Sequence, residues 1–293
     1  MLNEYLWLVF GLLTAIMVAT QDATVKKFFS HLSAYEMTLY PSIYSLPFFL
    51  VTACYMDIPP LDKTFAVYFA ISIPLNAFCF VIYNTAIKIS PLSLTIPYLA
   101  FTPTFVVATG YVFLGETVNI WGLMGIFTTC AGSYILNIDP NRKGILAPFK
   151  AVFRETGSWL MLLAAFLFSF AIVFGKGAIV HSSPVFFSVS FFIAITLFQT
   201  VVFYLAGKIR LKTFVNQPIH GLITGSLFFV HVICHGFAIS LSKAAYMISV
   251  KRLSILLGII YGGLVFNEKN LVIRFTGALF MLAGAVLIVV QGQ

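Results

Sequence analysis

Apolar residues run through this chain in long blocks, without the alternation of half-buried strands or the one-sided stripe of surface helices. A membrane-crossing helix takes about 20 such residues at a rise of about 1.5 Å each. Ten blocks meet that length: 5–27, 33–55, 64–87, 91–114, 118–137, 157–180, 184–206, 217–241, 244–266 and 271–290. Between them lie short connectors such as DIPPLDK and KISP, which hold the helix breakers and most of the charges. The longest connector, DPNRKGILAPFKAVFRETG, separates spans 5 and 6, and its ILAPFKAVF portion has the look of an interfacial amphipathic segment. The pattern predicts an all-α integral membrane protein of ten transmembrane helices, and an even count places both termini on one side.

The two halves repeat one another. Aligning Glu116 with Glu268 also aligns Gly125 with Gly277 and Gly132 with Gly284. The same offset pairs Ala86-Ile87 with Ala238-Ile239 and Ser90 with Ser242. At a nearby offset Lys26 meets Lys176, His31 meets His181 and Ser33 meets Ser183. Each match is weak alone; together they predict a duplication, with a first five-helix repeat over 1–138, a connector over 139–156 and a second repeat over 157–293. Five is odd, so the second repeat is expected upside down relative to the first. Two inverted five-helix repeats around a central cavity are a transporter architecture, with the substrate near the midplane.

These features resemble the drug/metabolite transporter superfamily, in the form with two EamA domains, across nearly the whole chain. The resemblance rests on the span count, the repeated Ala-x-x-x-Ser ahead of spans 4 and 9, and the repeated acid with following glycines at the 4–5 and 9–10 corners. It implies a cavity lined mainly by spans 1, 3, 4, 6, 8 and 9, with spans 5 and 10 as packing elements. It also implies alternating access, expected here as one half rocking against the other. The family pattern has a proline midway in span 4, which Pro97 and Pro103 fit, whereas span 9 has none and carries Lys-Arg instead.

Composition agrees with a bilayer protein: 60% of the 293 residues are hydrophobic and 9% charged, against about 25% charged in a soluble domain. The opening MLNEYLWLVFGLL lacks a basic start and a small-residue cleavage site, and reads as the first span rather than as a signal peptide. The formal charge of +8 is scattered, and no nucleic-acid partner is expected. With the termini inside, the internal loops would hold only Lys63, Lys176 and Lys243, and the opposite loops twelve basic residues, Arg142, Lys143, Lys208 and Arg210 among them. Basic loops favour the cytoplasm, so the count favours termini outside, in a bacterial inner (plasma) membrane. Cys54, Cys79, Cys130 and Cys234 all fall in apolar runs and read as small buried hydrophobes.

The chemistry concentrates in few places. Lys251 and Arg252, in SVKRLSILLG, stand inside span 9. A cation at the bilayer centre costs about 2.5–3.5 kcal/mol on insertion scales, a cost most easily borne beside a wet cavity that receives an anion. Snorkelling to a lipid phosphate and pairing with an internal acid such as Asp22 are the alternatives. Among relatives in the superfamily, the plastid sugar-phosphate translocators look similar here, with adjacent Lys and Arg holding phosphate. Span 4 offers a polar stripe of Thr95, Tyr98, Thr102 and Thr109, either for substrate or for helix packing. Span 3 offers Asn76, Tyr83 and Asn84; Asn76 and Tyr83 are seven apart and share a face. His231 and His235 in HVICH have a metal-compatible spacing, but no third ligand is evident, so no metal is expected and a proton relay, substrate contact or plain packing remain. Asp22 lies four residues before Lys26, as a helix ion pair or a coupling-proton carrier. Glu36, Glu116 and Glu268 open helices and suit the positive end of the dipole.

No GxSxG, Walker loop or metalloprotease signature occurs, and no enzyme, cofactor or nucleotide-driven pump is expected. The sequence thus predicts a secondary transporter of a small organic anion or zwitterion bearing carboxylate or phosphate, acting as monomer or homodimer in the bilayer. An exporter of amino acids or cationic drugs, and a flippase gripping a lipid-linked phosphate, are the competing readings.

Overall fold

The computed structural model describes residues 5–90, 95–136, 155–266 and 271–291. The amphipathic connector segment and Glu268 lie outside them. Among the described residues the chain is helical, with no strand. The helices are α1 (Leu6–Phe29), α2 (Ala34–Tyr55), α3 (Lys63–Ile89), α4 (Thr102–Leu114), α5 (Ile120–Leu136), α6 (Thr156–Val180), α7 (Pro184–Leu205), α8 (Pro218–Ser240), α9 (Ala244–Lys251), α10 (Ser254–Phe266) and α11 (Leu271–Gln291). Six of them (α1, α2, α3, α6, α7 and α8) are long and apolar enough to cross a membrane. Large apolar side chains such as Val51, Val112, Leu205 and Val286 point outward, which suits a lipid rather than a water surround.

Local chemistry sets the helix starts. Ser33 and Glu36 form a reciprocal capping box at α2, and Ser183 caps α7 by accepting from the Phe186 N–H. These are repeat-matched serines. Glu36 also accepts from the Thr213 hydroxyl at 2.9 Å, fastening the 206–217 segment to α2.

Two blocks predicted as single spans are broken. Span 4 opens as a 3-10 segment, Ile96–Phe101, and becomes α-helical only at Thr102. Prolines at 97 and 103 explain this, since neither can donate the N–H that a continuing helix needs. Span 9 breaks after Lys251 and resumes at Ser254. There the Leu253 N–H reaches the Val250 carbonyl and the Ile255 N–H the Arg252 carbonyl, the tighter i→i+3 pattern, both at 3.0 Å. Thr102 and Ser254 correspond at the offset that matches Glu116 with Glu268. The break therefore falls at the same place in both halves, although only the first half has prolines to cause it.

Packing crosses between the halves. The most extensive contacts are α5 with α11, α3 with α6, and α1 with α8. At the α5–α11 seam repeat-matched glycines face each other. A Cβ at Gly125 would stand 2.7 Å from the Gly284 carbonyl oxygen, and one at Gly132 would stand 2.6 Å from that of Gly277. Close backbone approach through small residues is how apolar helices associate in lipid, where no hydrophobic force separates helix from solvent. Leucine at Gly125 or Gly132 must push the two helices apart; overpacking of this kind costs about 1–3 kcal/mol. Thermal unfolding of the detergent-purified protein is expected to show a lowered Tm for Gly132→Leu and no comparable loss for Val112→Leu at an exposed position.

Outside the spans, Glu155 caps α6 by accepting from the Ser158 N–H at 2.8 Å, and it also accepts from the Ser90 hydroxyl at the end of α3. Burial would raise its carboxyl pKa, but the bonds from Ser158 and Ser90 outweigh this and hold it below the ordinary 4.5. A depressed folded pKa contributes stability above the unfolded value that is lost as pH falls through the folded one. Acidification below about pH 4.5 is expected to lower Tm less in Glu155→Gln than in the wild type.

Candidate functional site

A cavity of about 170 Å³ lies between the helices. Its polar wall comes from Asp22 and Gln21 on α1, Asn76, Tyr83 and Asn84 on α3, His231 and His235 on α8, and Lys251 with Arg252 at the break in span 9. Phe168, Phe192 and Phe228 supply much of the apolar wall.

The break explains how two cations come to sit there. α9 ends at Lys251, with Arg252 as its C-cap, so the charges lie against the negative end of that helix's dipole. In the repeat, Leu99 and Ala100 hold the matching positions, and Leu99 lines the same cavity. The backbone bend is thus common to both halves, and the pair of charges belongs to one half only.

Each charge in the cavity is tied to a neutral group. Arg252, 6% exposed, donates from a terminal nitrogen to the Thr102 hydroxyl at 2.9 Å. Lys251 Nζ lies 3.1 Å from His231 Nε2, and His231 Nδ1 lies 3.4 Å from the Gln21 amide oxygen. Asp22 accepts from the Tyr83 hydroxyl at 2.7 Å. Among the described residues no ion pair within 4.0 Å joins Asp22 to Lys251 or Arg252. Arg252 Nε and His235 Nδ1 are buried without a protein partner. A buried donor left without an acceptor costs about 1–3 kcal/mol, and more when charged.

Of the residues that the sequence nominates, Lys251, Arg252, Tyr83, Asn76, His231, His235 and Asp22 meet at this cavity. The span 4 stripe does not. Thr95 and Tyr98 are buried elsewhere, Tyr98 in a cluster with Met161 and Ala165 of α6. Thr102 reaches the site only as the acceptor for Arg252. Thr109 bonds the Phe105 and Ser169 carbonyls. The stripe assumed α-helical spacing, which the 3-10 segment removes. Nor do Asp22 and Lys26 form the helix pair: Asp22 turns to Tyr83, and Lys26 donates to the Ser90 carbonyl at 3.4 Å. Sequence reasoning missed Thr38 and Ser42 of α2, which line the cavity. Two hydroxyls four apart in an apolar helix were the available signal. It also undervalued spans 2 and 7, which contribute to the wall alongside spans 1, 3, 4, 6, 8 and 9.

Six helices long and apolar enough to cross a bilayer, packed around a small cavity with polar groups on its wall, have the build of a multi-pass membrane protein. The model of the EamA-like transporter family matches residues 5–138. No curated protein matches the chain. A solved structure described as "Crystal structure of protein" superposes with a TM-score of 0.71 over 95% of each chain at 11% identity. At that identity the likeness is one of fold alone.

Because Arg252 has no acid beside it, its charge works against the stability of the ligand-free protein. Arg252→Met is therefore expected to leave the ligand-free Tm unchanged or raised by a few degrees, as measured by differential scanning fluorimetry. A fall would mean that Arg252 is a structural tie.

Proposed function

We propose that this chain is a secondary transporter that moves a small organic anion, or a zwitterion with an exposed carboxylate or phosphate, by alternating access through ten spans built as two inverted repeats. The observation that carries the substrate reading is the adjacent pair of buried cations, one of them with an unanswered N–H, at a cavity wall. Lys251 supplies a point charge and Arg252 a planar fork suited to carboxylate or phosphate. Tyr83, Asn76, His231 and His235 stand ready to orient the ligand. The competing export of cations would need Lys251 and Arg252 neutralised internally, and Asp22 makes no such contact. A cavity of about 170 Å³ also suits a small metabolite better than a lipid-linked one.

The repeat reading draws support from contacts that exchange in pairs. α1 with α8 corresponds to α6 with α3, and α6 with the span 4 segments corresponds to α1 with α9 and α10. The repeat-matched lysines do the same thing: Lys26 donates to the Ser90 carbonyl, and Lys176 donates to the Ser242 carbonyl at 2.6 Å. These contacts change the picture of one sequence half rocking on the other. The halves interleave, so the moving bodies are α1, α2, α8, α9 and α10 against α3, α4, α6 and α7. Both lysine ties then run between the bodies, at opposite ends of the bundle. The Lys176 end is reinforced by Glu116, which pairs with Lys176 and accepts from the Ala244 N–H at 2.9 Å. Alternating access consists of breaking one tie while the other holds. The basic loops favour termini outside a bacterial inner membrane.

Two experiments test this. In a thermal-shift panel, carboxylates and phosphorylated metabolites should raise the Tm of the wild type with concentration and leave Arg252→Gln unmoved. Equal stabilisation of both proteins by neutral or cationic compounds would overturn the anion reading. In proteoliposomes, Glu116→Gln should alter the transport rate several-fold while ligand affinity stays within about twofold, since it loosens a tie and leaves the cavity wall intact.

A further inference from the structure

The three charges of the cavity pose a problem that an anion alone does not solve. Lys251, Arg252 and Asp22 line one small space, yet each is held by a neutral partner: His231, Thr102 and Tyr83 respectively. A buried carboxylate and two buried cations would gain most by pairing with one another. They are kept from doing so by side chains on three other helices. Asp22 also keeps an oxygen, Oδ1, that meets no donor among the described residues. A negative carboxylate on the wall repels a simple anion, so a site evolved for one would do better without it. Held apart, the charges form two poles, one accepting and one donating.

Resting on the anion reading above, we infer that Asp22 is the specificity-determining residue for an ammonium group, and that the ligand is an amino acid carrying a second acidic group. The ammonium meets Asp22 Oδ1. The carboxylates meet Lys251 and Arg252, with Arg252 Nε and His235 Nδ1 as further donors. Charge agrees with this choice. With Lys251 protonated, two cations and one carboxylate leave the wall one positive charge in excess, and an amino dicarboxylate carries one net negative charge. Size agrees as well. A cavity of about 170 Å³ is of the order of the ~150 Å³ cavity that admits benzene, which leaves room for a ligand of compact amino-acid dimensions but not for a nucleotide or a sugar phosphate with a large aglycone.

The test is isothermal titration of the full-length protein in nanodiscs with three isosteric probes. L-Glutamate carries both acids and the ammonium, glutarate lacks the ammonium, and L-norvaline lacks the second acid. Wild type should bind glutamate at least about tenfold more tightly than either of the others, the effect of one charge-assisted hydrogen bond. Asp22→Asn should reverse the order of glutamate and glutarate, because the mutation removes the ammonium's partner and the repulsion of the dianion together. Tyr83→Phe, which keeps the carboxylate but frees it, should preserve the order. Glutarate binding as well as glutamate in the wild type overturns the inference while leaving the anion reading intact, provided Arg252→Gln abolishes both. Binding of other anions with neither probe bound overturns it equally. Norvaline binding best, with Arg252→Gln indifferent, overturns both this inference and the anion reading. The wild-type series decides the matter even if a variant fails to fold.

Discussion

The structure turns on a helix that stops in the middle of the bundle. Where α9 gives way to α10, the backbone passes through a tight turn, and Lys251 and Arg252 are delivered to a buried wall. A continuous helix would place two adjacent cations about 100° apart around its axis, and one of them would have to travel past apolar neighbours to reach polar company. The turn brings both to the same cavity. The surrounding helices then supply neutral partners in Thr102 and His231, so the charges are oriented without being cancelled.

The break recurs at positions that the sequence matches between the two halves, Thr102 and Ser254. In the first half it coincides with prolines, and in the second it persists without them, at the matching residue. Leu99 and Ala100 show the ground plan, and Lys251 and Arg252 depart from it. The same logic accounts for the lysine ties and for the glycine pairs at the α5–α11 seam, where each contact occurs with its repeat-related counterpart. The paired contacts support the proposed division into two mixed bundles, and the cavity between them is asymmetric.

Much of this was legible in the residues. Apolar blocks located the helices, and Gly125, Gly132, Lys176 and Ser242, matched between the halves in sequence, make contacts that come in pairs. The cations inside span 9 pointed to the cavity that they line. What the sequence concealed has physical causes. Thr95 and Tyr98 had helical spacing, but a proline-rich segment folded as a 3-10 turn and rotated them away. Asp22 and Lys26 had the spacing of an ion pair, but long-range partners outbid the local one: Tyr83 is 61 residues from Asp22 in the chain, and Ser90 is 64 from Lys26. The interleaving of the halves is a tertiary property, and no local pattern encodes which helix of one repeat lies against which helix of the other.

The central claim is that one cationic cavity is reached from each face in turn. Asn76 lines both this cavity and the smaller adjoining chamber that Lys176 borders, so a cysteine there reports on both routes. The decisive measurement is alkylation of Asn76→Cys, in a background without the native cysteines, by a membrane-impermeant maleimide applied to either face of oriented vesicles. The account predicts labelling from both faces, slowed by an organic anion and no longer slowed once Arg252→Gln is added. Labelling from one face only, or protection that survives the loss of Arg252, would contradict it.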